Sequence, residues 1–326
     1  MTSNPSIAVR AQNLSKRFED VQAVNGVNFE IASGELFGFL GPNGSGKTTT
    51  INLLTGLARP DSGRIKIAGI DCTAKPRSAQ HLMGIVPDES NLYPELTGLE
   101  NLCFCASLYG MRKKERHAKA TQLLEQFNLT AAAGRKFGGY SKGMKRKLTI
   151  AAGIIHDPSI LFLDEPTTGI DVASARQLRR IIQELHQKGT TIFLTTHYIE
   201  EAERLCDRIA FIVDGRIVKT ERVSTLLQPV QNRHIIQVVC SSGLGRVGAA
   251  LTDRFSREKI EIVSDEVLRV ENAAPIPVGP LIRFLEEQRI EVFEATRIKP
   301  SLEEVFVEIT GLGTGTMKTE KSGGRK

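Results

Sequence analysis

The segment Gly41-Pro42-Asn43-Gly44-Ser45-Gly46-Lys47-Thr48-Thr49 carries the spacing G-x-x-x-x-G-K-[S/T]. Glycines at these intervals let the backbone curl so that successive N–H groups point inward, which makes a cradle for phosphate oxygens. In this pattern Lys47 reaches the β- and γ-phosphates of a nucleotide and the Thr48 hydroxyl is a magnesium ligand. Farther along, Ile160-Leu161-Phe162-Leu163-Asp164-Glu165 is an apolar run that ends in two carboxylates. One strand therefore delivers both acids to the carboxyl edge of a sheet, where open α/β folds bind ligands. Asp164 suits a magnesium ion held through water, and Glu165 suits a water that attacks the terminal phosphate. A nucleoside triphosphate and Mg2+ are the ligands that this chemistry implies.

These residues need a strand before the glycine loop and a helix after it. Residues 35–40 read as a compact apolar strand, and a helix is expected over residues 47–57, stopped by the turn cluster at 59–63. Short strands are expected at 7–14 and 26–31. Helical periodicity dominates residues 88–155, with helices over 99–109, 112–127 and 142–155. From residue 159 strands (160–163, 191–195, 209–213) alternate with helices (173–188, 199–206). The pattern predicts an α/β fold, a P-loop NTPase parallel sheet with an antiparallel β edge and an inserted helical subdomain. After about residue 228, strands at 235–240, 260–263, 267–270 and 290–298 and helices at 278–287 and from 301 predict a small α+β C-terminal domain. Ser301 and Glu304 form an S-x-x-E capping box for the last helix. The expected organisation is a nucleotide-binding domain at 1–228 with its helical subdomain at about 88–155, an accessory domain at 229–310, and a disordered basic tail at 311–326.

The chain has 326 residues and a formal charge of +6, which raises the question of nucleic acid. Residues 1–87, 88–155, 156–310 and 311–326 carry +3, +5, −5 and +3. The excess thus sits in the helical insertion and the tail, which argues against a broad nucleic-acid footprint. The longest near-apolar run, residues 148–155, is far short of the roughly 18 residues a membrane span needs. The first ten residues lack a basic region followed by an apolar one, so no signal peptide is expected. Five cysteines without a CxxC pair read as free thiols.

Between the two nucleotide motifs lies Tyr140-Ser141-Lys142-Gly143-Met144, directly before a helix and flanked by Arg135, Lys136, Lys145, Arg146 and Lys147. Taken with the motifs on either side, residues 7–225 resemble the nucleotide-binding subunit of an ABC transporter. The five-residue segment is similar to that family's Leu-Ser-Gly-Gly-Gln signature. It keeps Ser141 and Gly143 and departs at Lys142 and Met144. The resemblance implies that the signature contacts the γ-phosphate held by an opposite subunit, in a homodimer or a pair with a closely related ATPase. It also implies that Phe18 stacks on adenine, that Asp88 stands where the family has a magnesium-binding Gln, and that Asp171 lies in the loop reaching across the dimer. His197 resembles the switch histidine at the γ-phosphate.

By the same resemblance, residues 88–110 receive a separate integral-membrane permease at the cytoplasmic face of the cell membrane. The ending Lys299-Pro300-Ser301-Leu302-Glu303-Glu304-Val305-Phe306 is similar to the accessory domain of exporter ATPases. The resemblance implies ATP hydrolysis to ADP and phosphate that drives export, with no nucleic-acid partner. A soluble ABC-type ATPase acting on ribosomes or DNA is the rival, and such proteins carry paired modules, long coiled coils or zinc-binding CxxC pairs. A P-loop GTPase or small-molecule kinase lacks its NKxD motif or Arg-rich lid here.

Overall fold

The structure, a computed structural model, describes residues 6–231, 233–298 and 301–312. The expected basic tail therefore lies outside the described residues, apart from Gly311 and Leu312. Two units divide the chain, Met1–Arg222 with Ile309–Lys326, and Val223–Glu308.

In chain order the first unit contains β1 (Ile7–Phe18), β2 (Val21–Ala32), β3 (Leu36–Leu40), α1 (Lys47–Leu54), β4 (Ser62–Ile67), β5 (Ile70–Asp71), α2 (Pro76–Gln80) and β6 (Met83–Val86). It continues with α3 (Gly98–Leu108), α4 (Lys113–Gln126), α5 (Lys142–Gly153), β7 (Ile160–Asp164), α6 (Val172–Gln187), β8 (Thr191–Thr196), α7 (Ile199–Leu205), β9 (Arg208–Val213) and β10 (Arg216–Arg222). One sheet has the order β10-β9-β3-β8-β7-β6, parallel except for β10. A second, antiparallel sheet has the order β2-β1-β4-β5. Every residue of β3, β7 and β8 is buried, which is why β3, residues 160–163 of β7 and residues 192–194 of β8 read as apolar runs rather than alternating ones. Phe29 of β2 stacks on Phe37 of β3 at 5.6 Å and on Phe193 of β8 at 5.9 Å, so the two sheets share one core.

The helical segment is anchored by polar devices. Thr97 and Glu100 exchange hydrogen bonds in a capping box at the start of α3. Beside it, a Cβ on Gly98 would lie 2.2 Å from Tyr140 Oη, whose hydroxyl donates to the Ala132 carbonyl at 2.7 Å. Glycine at 98 thus admits the ring of Tyr140, which directly precedes Ser141, the cap of α5.

The second unit contains α8 (Val223–Gln231), β11 (His234–Cys240), α9 (Leu244–Arg254), β12 (Lys259–Ser264), β13 (Val267–Asn272), α10 (Val278–Glu287), β14 (Val292–Ile298) and, as far as Glu308, α11 (Leu302–Thr310). Its antiparallel sheet runs β12-β13-β11-β14, and β11 to β14 with their two intervening helices give a β-α-β-β-α-β order. Leu244, Val247 and Leu251 of α9 and Leu281 and Leu285 of α10 cover Ile236, Val238, Leu268 and Val270. The turn residue Asp265 accepts from the N–H groups of Gly243 and Gly245, capping α9. Leu268→Ala is expected to cost about 2–5 kcal/mol, because the side chain is fully buried and the rigid sheet cannot close the gap. Urea unfolding followed by circular dichroism checks this.

Sequence patterning did not mark β4, β6, β10, α8 or α9. Strand β6 has only four residues, and Gly245 and Gly248 lower the intrinsic helicity of α9, which its buried apolar face restores. Helix α1 ends earlier than the apolar pattern to Leu57 implies. Gly56 takes φ +72° just beyond the Thr55 cap and turns the chain away.

Candidate functional site

The glycine loop leaves the carboxyl end of β3 and enters α1. Gly44 and Gly46 adopt φ +81° and +101°, and a Cβ on Gly46 would lie 2.2 Å from the Ala23 carbonyl. Lys47, the first residue of α1, is buried, and its ammonium donates to the carbonyls of Gly41 (2.9 Å) and Pro42 (3.0 Å). Gly46→Ala is expected to weaken nucleotide binding at least ~10-fold, since side chains rarely adopt this φ and the loop must shift. Isothermal titration with ATP measures the loss.

Strand register brings the other groups to the same edge. Leu40 of β3 pairs with Thr196 of β8, and Thr195 pairs with Asp164 of β7. Adjacent strands lie about 4.8 Å apart, so Gly41, His197 and Glu165 leave the sheet side by side. Asp164 is buried and accepts a 2.5 Å hydrogen bond from the Thr195 hydroxyl. Glu165 turns out of the strand at φ +45°, a conformation costly for a residue with a Cβ and common at functional sites. Its carboxylate meets three groups: Lys47 Nζ at 3.2 Å, His197 Nδ1 at 2.8 Å and Thr168 Oγ1 at 3.0 Å. A carboxylate only accepts, so His197 carries its proton on Nδ1 in this contact. Burial pushes the Glu165 carboxyl up, but the hydrogen bond from His197 and the charge of Lys47 outweigh it and bring it down to about 2.

Asn43, Gly44, Gly46, Lys47, Thr48, Thr49, Asp88, Glu165 and His197 line one cavity of 440 Å3. Gly41, Pro42, Ser45 and Asp164 do not line it. Phe18 closes β1 at 50% exposure, with Lys16 Nζ 5.3 Å from its ring centre. The signature residues stand apart from the 440 Å3 cavity. Ser141 caps α5 through the Met144 N–H at 3.3 Å. Gly143 is packed so tightly that a Cβ would lie 2.3 Å from Ser174 Oγ and 3.3 Å from Asp171 Oδ2. Asp171 caps α6 by accepting from Ser174 N at 2.8 Å. A second cavity, of 630 Å3, is lined by Lys142, Lys145 and Arg146 and shares Asp88, Thr168 and Gly169 with the first.

Two structural findings depart from or add to the sequence reading. Arg146, grouped there with the basic flank, is buried and faces inward. Its spacing of three and four residues from Gly143 and Ile150, both buried, is the signal that places it on the inner face of α5. Glu201 was not singled out. It is buried and accepts from the hydroxyls of Thr167 (2.7 Å) and Thr196 (2.8 Å), and burial pushes its carboxyl up. It thereby ties the loop after Glu165 to the residue before His197.

The residues fit a phosphate group and a hard cation. The buried Ser45 hydroxyl, inside the loop, lacks a hydrogen-bond partner among the described residues, and a bound anion or its water shell supplies one. No cluster of three or more His, Cys, Asp or Glu side chains able to hold a metal occurs among the described residues. A hydroxyl with one or two carboxylates instead suits magnesium, which keeps waters and takes phosphate oxygens rather than an all-protein cage.

The ABC transporter family profile matches residues 24–168. Nod factor export ATP-binding protein I of Burkholderia lata is 37% identical over 94% of this chain and 98% of its own length. The chain belongs to the ATP-binding subunits of ABC transporters. The linearmycin resistance ATP-binding protein LnrL of Bacillus subtilis is 34% identical to this ATP-binding subunit over 93% of the chain and 98% of its own. Among solved structures, a dimeric ATP-binding cassette in a post-hydrolysis state with ADP and Pi superposes with a TM-score of 0.62. It is 28% identical and covers 66% of this chain and 98% of its own. This ATP-binding subunit is an ATPase, and the ribosome or DNA reading is not favoured. Among the described residues no helix is long and apolar enough to cross a membrane.

Proposed function

We propose that this chain energises export through a separate integral-membrane permease, at the cytoplasmic face of the cell membrane, as one of two ATPase subunits. The observation that carries the catalytic part is the convergence of Lys47, Glu165 and His197 at one sheet edge beside the phosphate loop. Export is supported by relatives whose names describe export and resistance and whose similarity spans both units. The cassette spans 1–228 with its helical part at about 88–155, followed by an accessory domain at 229–310 and a basic tail at 311–326.

Residues 41–49 bind the phosphates through backbone N–H groups and the start of α1, and Lys47 turns from Glu165 to the β- and γ-phosphates. Phe18, exposed at the end of β1, supplies a flat apolar face for adenine. Thr48, Asp164 and Asp88 would hold Mg2+, which when bound would neutralise charge developing on the phosphate oxygens. Glu165 orients the attacking water. His197 fixes the Glu165 carboxylate and faces the terminal phosphate. Ser141 and Gly143 from one subunit and Asp171 beside them complete the site of the opposite subunit, a role that the local caps leave open to the exposed Ser141 hydroxyl. Purifying the tagged chain from detergent-solubilised membranes tests the partner: a polytopic protein of about six spans is expected, and ribosomes or DNA in its place overturn the reading.

A further inference from the structure

Arg146 is the one arginine among the buried polar residues of the described chain, and its guanidinium is spent on backbone carbonyls. Nε donates to the Pro166 carbonyl at 2.9 Å, and Nη1 donates to the Asp88 carbonyl at 2.9 Å and to the Pro87 carbonyl. Nη2 donates to the Asp164 carbonyl. Pro87, Asp88 and Pro166 lie in the loops that follow β6 and β7, and Asp164 is the last residue of β7, directly before Glu165. The donor stands five residues after Ser141, on α5. A rigid planar fork that binds two loops at once fixes both their spacing and their orientation, which a lysine point charge cannot do. The carboxylates of Asp88 and Asp164 also surround the cation and offset the burial of its charge.

We propose that Arg146 is a positioning residue that makes the signature helix α5 and the two acid-bearing loops move as one body, so that the placement of Ser141 sets the placement of Glu165. The inference rests on the roles proposed above for Asp88, Asp164 and Glu165. A misplacement of about 1 Å at a reacting group costs roughly 100-fold in rate.

The test compares Arg146→Lys and Arg146→Gln with the wild-type full-length chain, using ATP with Mg2+. Arg146→Lys is expected to lower kcat roughly 10- to 100-fold while KM for ATP and the melting temperature stay near wild type. Arg146→Gln, which keeps two N–H donors, is read the same way if the lysine variant does not fold. Hydrogen exchange without added nucleotide is expected to quicken in both segments 84–90 and 161–168 and to stay unchanged in 41–49. In the unmodified chain, those two segments and the start of α5 are expected to open with one common free energy. Wild-type kcat in either folded variant, or separate opening of the segments in the unmodified chain, overturns the proposal. Glu165→Gln is assayed alongside: if it loses turnover while Arg146→Lys keeps it, only the role of Arg146 fails, whereas retained turnover in Glu165→Gln overturns the site reading itself.

Discussion

Glu165→Gln is expected to lower ATP turnover by roughly 100- to 10,000-fold, the range seen when a positioned acid or base is removed. The amide keeps the shape of the side chain and can still accept from His197 Nδ1 through its oxygen, so the 2.8 Å contact survives. What it lacks is the second anionic oxygen that faces Lys47 at 3.2 Å and the negative charge that orients water. Binding of ATP is therefore retained while chemistry stalls, and a closed dimer accumulates. Single-turnover assays and size-exclusion chromatography with ATP and Mg2+ read the two effects separately. Turnover at the wild-type rate would remove Glu165 from the mechanism.

Lys47→Ala acts at the earlier step. A hydrogen bond to a charged group contributes about 1.5–3 kcal/mol, so losing the ammonium weakens ATP binding by roughly 10- to 150-fold. The change also strips Glu165, which is only 11% exposed, of its cationic partner. Lys47→Ala should accordingly show weak nucleotide binding by titration calorimetry together with lost turnover, in contrast to Glu165→Gln, where binding persists. Equal ATP affinity in Lys47→Ala and wild type would show that the loop amides suffice.

Much of this site was legible because its chemistry is local in sequence. The phosphate loop lies within nine consecutive residues, and the acid pair ends one apolar strand, so spacing alone identified both. The buried parallel strands were legible for the same reason, since burial on both faces leaves continuous apolar runs. Contacts made across the sheet were not. The hydrogen bond from Thr195 to Asp164 spans 31 residues and that from His197 to Glu165 spans 32, and only strand order and register bring them together. Arg146 was misread for a related reason. In a basic stretch every cation looks solvated, and buried neighbours on both sides, Gly143 three residues before and Ile150 four after, separate it from Lys142 and Lys145.

The contact between Lys47 and Glu165 also bears on affinity and release. A nucleotide does not meet an unengaged ammonium; it must displace a carboxylate that already holds it, so the net gain is the difference between two anionic partners. Binding is thereby tempered. The same exchange is expected to run in reverse once the terminal phosphate has been cleaved, with Glu165 recapturing Lys47 as the product leaves. On this account the residue that readies water for attack also resets the site, and Glu165→Gln should hold ATP more tightly than the wild-type chain does.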